Sequence, residues 1–242
     1  MIQLELFEPF ATYADGLKGQ CQGDNRIKGS MFGLGYCYGA MRSGKYGIPE
    51  LKAYHDTIPE NFVTYGECST TKDYSCGLAS FDDDKILERV WNNFDKYIPT
   101  FSKFQCVGEP DFSLKLEYPL AVQIANTYRN HALAYAMQEA TIKVLPSPSW
   151  SSTESHEFCF DGYGRGGAVL ISTIGTLRDE RSSMYFKLGF EEMLRRLSPD
   201  AVVLYGDVNE SLLEWLPKQL HISHVEHNRF VRARSHGSKR SI

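Results

Sequence analysis

The spacing of apolar positions changes along the chain, and each change marks an element. Leu87, Val90, Trp91, Phe94 and Ile98 fall on one helical stripe, with the acidic run Asp82 to Asp84 suited to its start and Pro99 to its end. Lys103 to Val107 reads as a strand, after which Gly108 and Pro110 turn the chain into Asp111 and Ser113. A second helix is predicted from Tyr118 to Gln138. Ala121, Ile124, Ala125, Tyr128, Ala132 and Tyr135 recur there at helical spacing, and Pro119 fits a first-turn position. Its polar side, Asn126 with Arg129 and His131, is read most simply as facing solvent. Thr141 to Leu145 follows as a strand.

Residues 146–167 form a long connection carrying Trp150, Phe158 and Phe160, of the kind that serves as a lid or binding loop. Ala168 to Ile174 is the clearest strand, nearly continuous in apolar character as a parallel strand covered on both faces should be. A helix with Phe186, Phe190, Met193, Leu194 and Leu197 comes next and stops at Pro199. Then follow a strand at Ala201 to Tyr205, a short helix around Glu210 to Gln219 and a last strand near Ile222 to Val225. This alternation predicts an α/β fold, a mostly parallel sheet with flanking helices. An open Rossmann-like sheet and an incomplete TIM-barrel-like one produce the same pattern.

Before the core, residues 14–47 are glycine-rich and lack apolar periodicity, and Phe62 to Tyr65 reads as a short strand. The expected division is an irregular Gly- and Cys-rich N-terminal extension at 1–80, an α/β core at 81–228 and a basic tail at 229–242.

Composition narrows the function classes. With 42% hydrophobic and 23% charged residues the chain has the makeup of a soluble globular protein, and a net charge of -4 gives no global pull toward nucleic acid or membrane. No apolar run reaches the roughly 20 residues that cross a bilayer, and the opening lacks a signal-like pattern. A cytoplasmic location, the host cytoplasm if the gene is phage-borne, is the expectation. Of the six cysteines, Cys21, Cys37, Cys68 and Cys76 lie in the first third, as free thiols or as ligands of a structural zinc.

Ligands of parallel sheets meet the loops at strand carboxyl ends. Those loops offer Glu109, Asp111 and Ser113, then Trp150, then Thr173, Gly175 and Thr176, then Tyr205 and Asp207. Asp111 and Asp207 are the first candidates for catalysis, able to hold Mg or Mn together or to divide acid and base roles. Each also fits a turn or helix cap. Gly175 and Thr176 expose backbone N–H groups suited to an anion, with Arg165 as a bidentate partner, although glycine turns also serve connectivity alone. Trp150 either stacks on a ligand or anchors its loop. His131 is an acid–base candidate and Arg129 a ligand contact on the same helix. Gly39 to Lys45 has the G-x-x-x-x-G-K spacing of a phosphate loop, but Tyr46 replaces the Ser or Thr and no helix follows. The tail, with Arg229, Arg232, Arg234, Lys239 and Arg240, either contacts phosphate backbones or is simply solvated.

Taken in order, FVTYGE, GEPDFS at 108–113, QIANTYRNHALAYAMQEA, KVLPSPSW at 143–150, GAVLISTIGT and FKLGFEEMLRRLSPDAVVLYGD resemble the bacterial, plasmid and phage domain-of-unknown-function family 4417. The resemblance covers roughly residues 48–216, and PDFS followed by YRN and a later strand-end YG is its most characteristic part. It implies that Pro110 to Ser113 are an acidic strand-end turn, Tyr128 to Asn130 a polar helix position, and Tyr205 and Gly206 a late strand exit. It carries no reaction with it.

The expectation is therefore a phage or mobile-element protein that binds a phosphate-bearing ligand, a nucleotide or nucleic-acid end, with metal-dependent phosphoester hydrolysis as its concrete chemistry. The competing expectation is a non-enzymatic nucleic-acid-binding or protein-interaction adaptor working through the tail and the aromatic loop.

Overall fold

A computed structural model describes residues 32–226. Arg42–Ser43 (β1) and Ile48–Pro49 (β2) form an antiparallel hairpin. Gly44 and Gly47 in its turn hold positive φ, +67° and +63°, and a Cβ on Gly44 would lie 1.7 Å from the Asp161 carboxylate. The G-x-x-x-x-G-K segment is thus a hairpin turn packed on a side chain, with no helix after it to receive a phosphate.

The main strands are Phe62–Thr64 (β3), Gly77–Ala79 (β4), Cys106–Gly108 (β5), Val144–Leu145 (β6), Ala168–Ser172 (β7), Ala201–Tyr205 (β8) and His221–Val225 (β9). They pair in parallel as β3-β4-β5-β6 and as β7-β8-β9. Order follows the chain in both sheets, and the Leu170 amide donates to the Pro146 carbonyl at 2.8 Å, joining the end of β6 to β7. The sheet therefore takes its first two strands from the stretch before residue 80. β4, only three residues long, shows no apolar periodicity of its own.

Helices flank these strands: Asp84–Asn92 (α1), Phe94–Phe101 (α2), Leu120–Glu139 (α3), Glu180–Leu197 (α4) and Glu210–Trp215 (α5). The first predicted helix is two. It breaks at Asn93 rather than at Pro99, which lies inside α2, and Phe94 and Phe101 remain buried on either side of the proline. Alternation along the strands sorts the core. Val169, Ile171, Val202 and Leu204 pack toward α4 with Phe186, Phe190 and Met193. Leu78, Val107 and Val144 pack toward α1 and α3 with Leu87, Leu133 and Met137. The other face belongs to both sheets, where Phe62, Ala79, Cys106, Leu145, Leu170, Val203 and Tyr205 form one cluster. Among the described residues no helix is long and apolar enough to cross a membrane.

Candidate functional site

The exit of β5 is the most heavily braced loop of the strand ends. Asn130 of α3 brackets Phe112, accepting from its amide at 2.8 Å and donating to its carbonyl at 3.4 Å, and Asn126 donates to the Ser113 carbonyl at 2.9 Å. Asp84, at the start of α1, accepts from the Ser113 amide and hydroxyl. The Arg129 guanidinium lies 3.6 Å from the Phe112 ring centre and 4.8 Å from that of Trp91, and bonds Glu88 at 2.7 Å. PDFS and YRN are therefore two halves of one contact: the helix residues hold the turn.

The β6 exit is tied to the same helix. The Ser151 hydroxyl donates to the Gln123 amide oxygen, and the Ser147 amide donates to Glu109 Oε2 at 2.8 Å. Gln123, Asn126, Thr127, Asn130 and His131 are all buried, three and four residues apart. The polar side read as solvent-facing is instead turned inward. A helix whose buried face bonds loop backbones need not be apolar there, because each buried N–H and C=O of the loops gains a partner.

Between these loops and the start of α4 lies a cavity of about 450 Å³. Its lining includes Asp111 and Ser149 from the β5 and β6 exits, Ser172 from the end of β7, Thr176, Arg178 and Arg181 ahead of and within the first turn of α4, and Lys115. Burial pushes the Asp111 carboxyl up to about 6; a hydrogen bond from Ser149 opposes this and the charge of Asp84 adds to it. Asp111 Oδ1 is buried with no hydrogen-bond partner. Asp179, also in the lining, caps α4, accepting from the Ser182 amide at 2.8 Å and from its hydroxyl at 2.9 Å, and those bonds hold its carboxyl below the usual range. The lining therefore carries both signs of charge, Lys115, Arg178 and Arg181 beside Asp111, Glu117 and Asp179.

Of the sequence candidates, Asp111, Ser113, Trp150, Gly175 and Thr176 border this cavity. Trp150 is largely an anchor: its Nε1–H donates to the Tyr185 carbonyl at 3.1 Å, and its ring packs against Phe160, Phe186 and Gly189. Thr173 is buried beneath, bonded to the Tyr205 carbonyl, and the Tyr205 ring points into the shared inner cluster. Glu109 and His131 are sealed behind the β5 loop, each 0% exposed. Arg129 is occupied by its stack. Asp207 is exposed at the β8 exit outside the cavity lining, and Asn209 rather than Asp207 caps α5.

Arg165 lies before β7 and donates to Ser198, which lies before β8, at 2.8 Å. That is the amino end of parallel strands whose carboxyl ends carry Asp111, so Arg165 stands at the wrong end of the sheet to neutralise a ligand there. Arg178, Arg181 and Ser149 were not singled out by the sequence reading; the signal was an Asp cap flanked by two arginines at a helix start. Tyr163, beside Glu109, was missed too, since nothing in DGYG marks a buried phenol.

Among the described residues no group of three or more His, Cys, Asp or Glu is arranged to hold a metal ion. Cys37, Cys68 and Cys76 are buried free thiols, while Cys21 and the basic tail lie outside the described residues.

A family model described as "Domain of unknown function (DUF4417)" matches residues 40–222. The chain is 30% identical over 168 residues to the Gene 1 protein of Mycobacterium phage D29, covering 68% of this chain and 62% of that protein, and so spans less than two thirds of its length. It is 28% identical over 170 residues to the Gene 1 protein of Mycobacterium phage L5, covering 69% of this chain and 73% of that one. No solved structure matches.

Proposed function

The chain belongs to the DUF4417 family and its kinship is with phage-encoded proteins, and on that footing we propose that it binds a phosphate-bearing ligand, a nucleotide or a nucleic-acid end, in the cavity fronted by Asp111, in the cytoplasm of its host. The observation that carries this reading is a single cavity lined by Asp111 together with Arg178 and Arg181 beside the α4 start. Arginine pairs with phosphate oxygens through two parallel N–H donors, and Arg178 and Arg181 both border the cavity. About 450 Å³ suits a mononucleotide or a strand end rather than a duplex.

Sequential strand order and an inner cluster fed by both sheets support an incomplete barrel over an open doubly wound sheet, which would reverse its order at the binding crevice. In such a barrel the carboxyl-end loops converge, as the β4 to β7 exits do around this cavity.

In a hydrolytic version of the reading, the arginines take the phosphate charge. Asp111, whose carboxyl titrates near neutrality, accepts a proton from an attacking water or returns one to a leaving oxygen. Mg or Mn, if bound, would meet Asp111 first and would lower the pKa of a bound water. The test is titration with inorganic phosphate and with a short 5′-phosphorylated single-stranded oligonucleotide. Saturable binding that weakens on Arg178→Ala and Arg181→Ala supports the reading; equal binding by wild type and the double variant overturns it. Phosphate release from the oligonucleotide, lost in Asp111→Asn while binding persists, separates enzyme from binder.

A further inference from the structure

Behind the β5 loop, His131 Nε2 lies 3.6 Å from Glu109 Oε1, and both atoms are buried with no hydrogen-bond partner. The other ring nitrogen, Nδ1, is 2.8 Å from the Pro49 carbonyl, which can only accept, so Nδ1 carries a hydrogen whatever the charge of the ring. In a neutral ring Nε2 is then a bare lone pair. A carboxylate oxygen facing it would set two lone pairs against each other in a dry interior, where neither finds a donor. One proton between them removes the conflict. The same carboxyl accepts from the Ser147 amide through Oε2 and is hydrogen-bonded by the Tyr163 hydroxyl, whose ring packs edge-on against His131 at 4.4 Å.

We propose that Glu109, His131 and Tyr163 form a buried positioning unit in which Glu109, as the neutral acid, donates to His131 Nε2 and thereby holds the Ser147–Ser151 loop in register with Asp111. Neither Glu109 nor His131 touches ligand; they act through Ser147 and, two residues on, the Ser149 that bonds Asp111. This rests on the reading of the Asp111 cavity as the site, while the Glu109–His131 pairing is read from the 3.6 Å approach of two buried, unpartnered atoms.

The groups facing the unit are few. From its own loop comes Asp111, from the segment after β3 comes Tyr65, whose hydroxyl donates to the Gly108 carbonyl, and beside Tyr163 lies the Cys159 thiol. Burial raises Glu109 from 4.5 to about 8, against the Ser147 and Tyr163 hydrogen bonds, and the Asp111 charge raises it further. Burial lowers His131 from 6.5 to about 4, against its bond to Pro49.

The signs follow from linkage. Between about 4.5 and 6.5 the unfolded pair holds one proton, on His131, and the folded pair also holds one, on Glu109, so this unit adds no slope. From 6.5 to 8 the unfolded pair holds none and the folded pair still one, so stability falls as pH rises. Above 8 the proton leaves and the loop loses its brace.

The experiment follows the Ser147 and Ser149 amide signals by NMR from about pH 6 to 9, alongside the ring nitrogens of His131 and the affinity for sulfate, a dianion that does not titrate in this range. Expected in wild type are a neutral His131 with its hydrogen on Nδ1, and Ser147 and Ser149 amides moving together with a midpoint near 8. In Glu109→Gln, whose amide still donates to His131 and accepts from Ser147, both amides become flat over that range. In Tyr163→Phe the midpoint moves upward, because a bond that favours the carboxylate is gone. A ring doubly protonated at pH 6, or amides that titrate alike in wild type and Glu109→Gln, overturns the proposal. Sulfate affinity should fall at the same midpoint in wild type only. Absent sulfate binding with the amide titration intact would sink the ligand reading and leave the positioning unit standing.

Discussion

Glu109 and Asp111 are two acids two residues apart on one loop, and they live in different chemical worlds. Glu109 faces α3 and is closed in by His131, Tyr163 and the Ser147 amide, every contact supplied by the protein itself. Asp111 lines the cavity together with Arg178 and Arg181, and its Oδ1 is buried without a hydrogen-bond partner. Strand alternation is not the cause, since both residues fall on the same parity; the difference lies in their neighbours, Ser147 and His131 for Glu109 and the cavity lining for Asp111. What this teaches is that burial alone does not identify a functional acid. Each acid has a buried oxygen without a hydrogen-bond partner, and Asp111 also lines a cavity.

The largest expected effect falls on the sealed side. His131→Ala leaves the Glu109 acid without its acceptor and opens a void, and should cost about 3 kcal/mol or more of unfolding free energy in denaturant melts. A cost under about 1 kcal/mol would mean the pair is not the brace described. Next, Gly189→Ala places a Cβ 2.1 Å from Trp150 Nε1, and should destabilise by about 1–3 kcal/mol with Trp150 fluorescence shifted as the ring leaves its bed. Asn130→Ala strips the buried Phe112 amide of its acceptor and should cost about 2 kcal/mol by the same melts. On the open side, Arg181→Ala should leave melting unchanged and weaken phosphate binding about tenfold, the worth of one charge-assisted contact. Arg165→Ala, at the amino end of the strands, should change neither quantity beyond about 0.5 kcal/mol; a loss of binding there would move the site to the other face of the sheet.

The apolar half of this fold is open to reading from sequence, and the polar half is not. Ala168 to Ser172 and Ala201 to Tyr205 announce themselves because both faces of each strand are covered by side chains. β4 and the hairpin at 42–49 are too short for any period to register. The long helix was placed to within two residues, yet its inward face was assigned to solvent. A stripe of Gln, Asn, Thr and His looks the same whether it bonds water or bonds loop backbones, and only the loops, distant in sequence, decide between them. The site shows the same division. Asp111 was legible as an acid at a strand exit, whereas Arg178 and Arg181 depend on where α4 begins, and Asp207 and Arg165 needed the strand ends to be told apart in space.

The central claim is that ligand enters at the carboxyl ends of the strands, in front of Asp111. Amide chemical shifts recorded while inorganic phosphate is added test it most directly. The account predicts saturable shifts at Ser149, Thr176 and Ser182, with Arg165 and Ser198 unmoved; shifts confined to Arg165 and Ser198, or none at saturating phosphate, would contradict it.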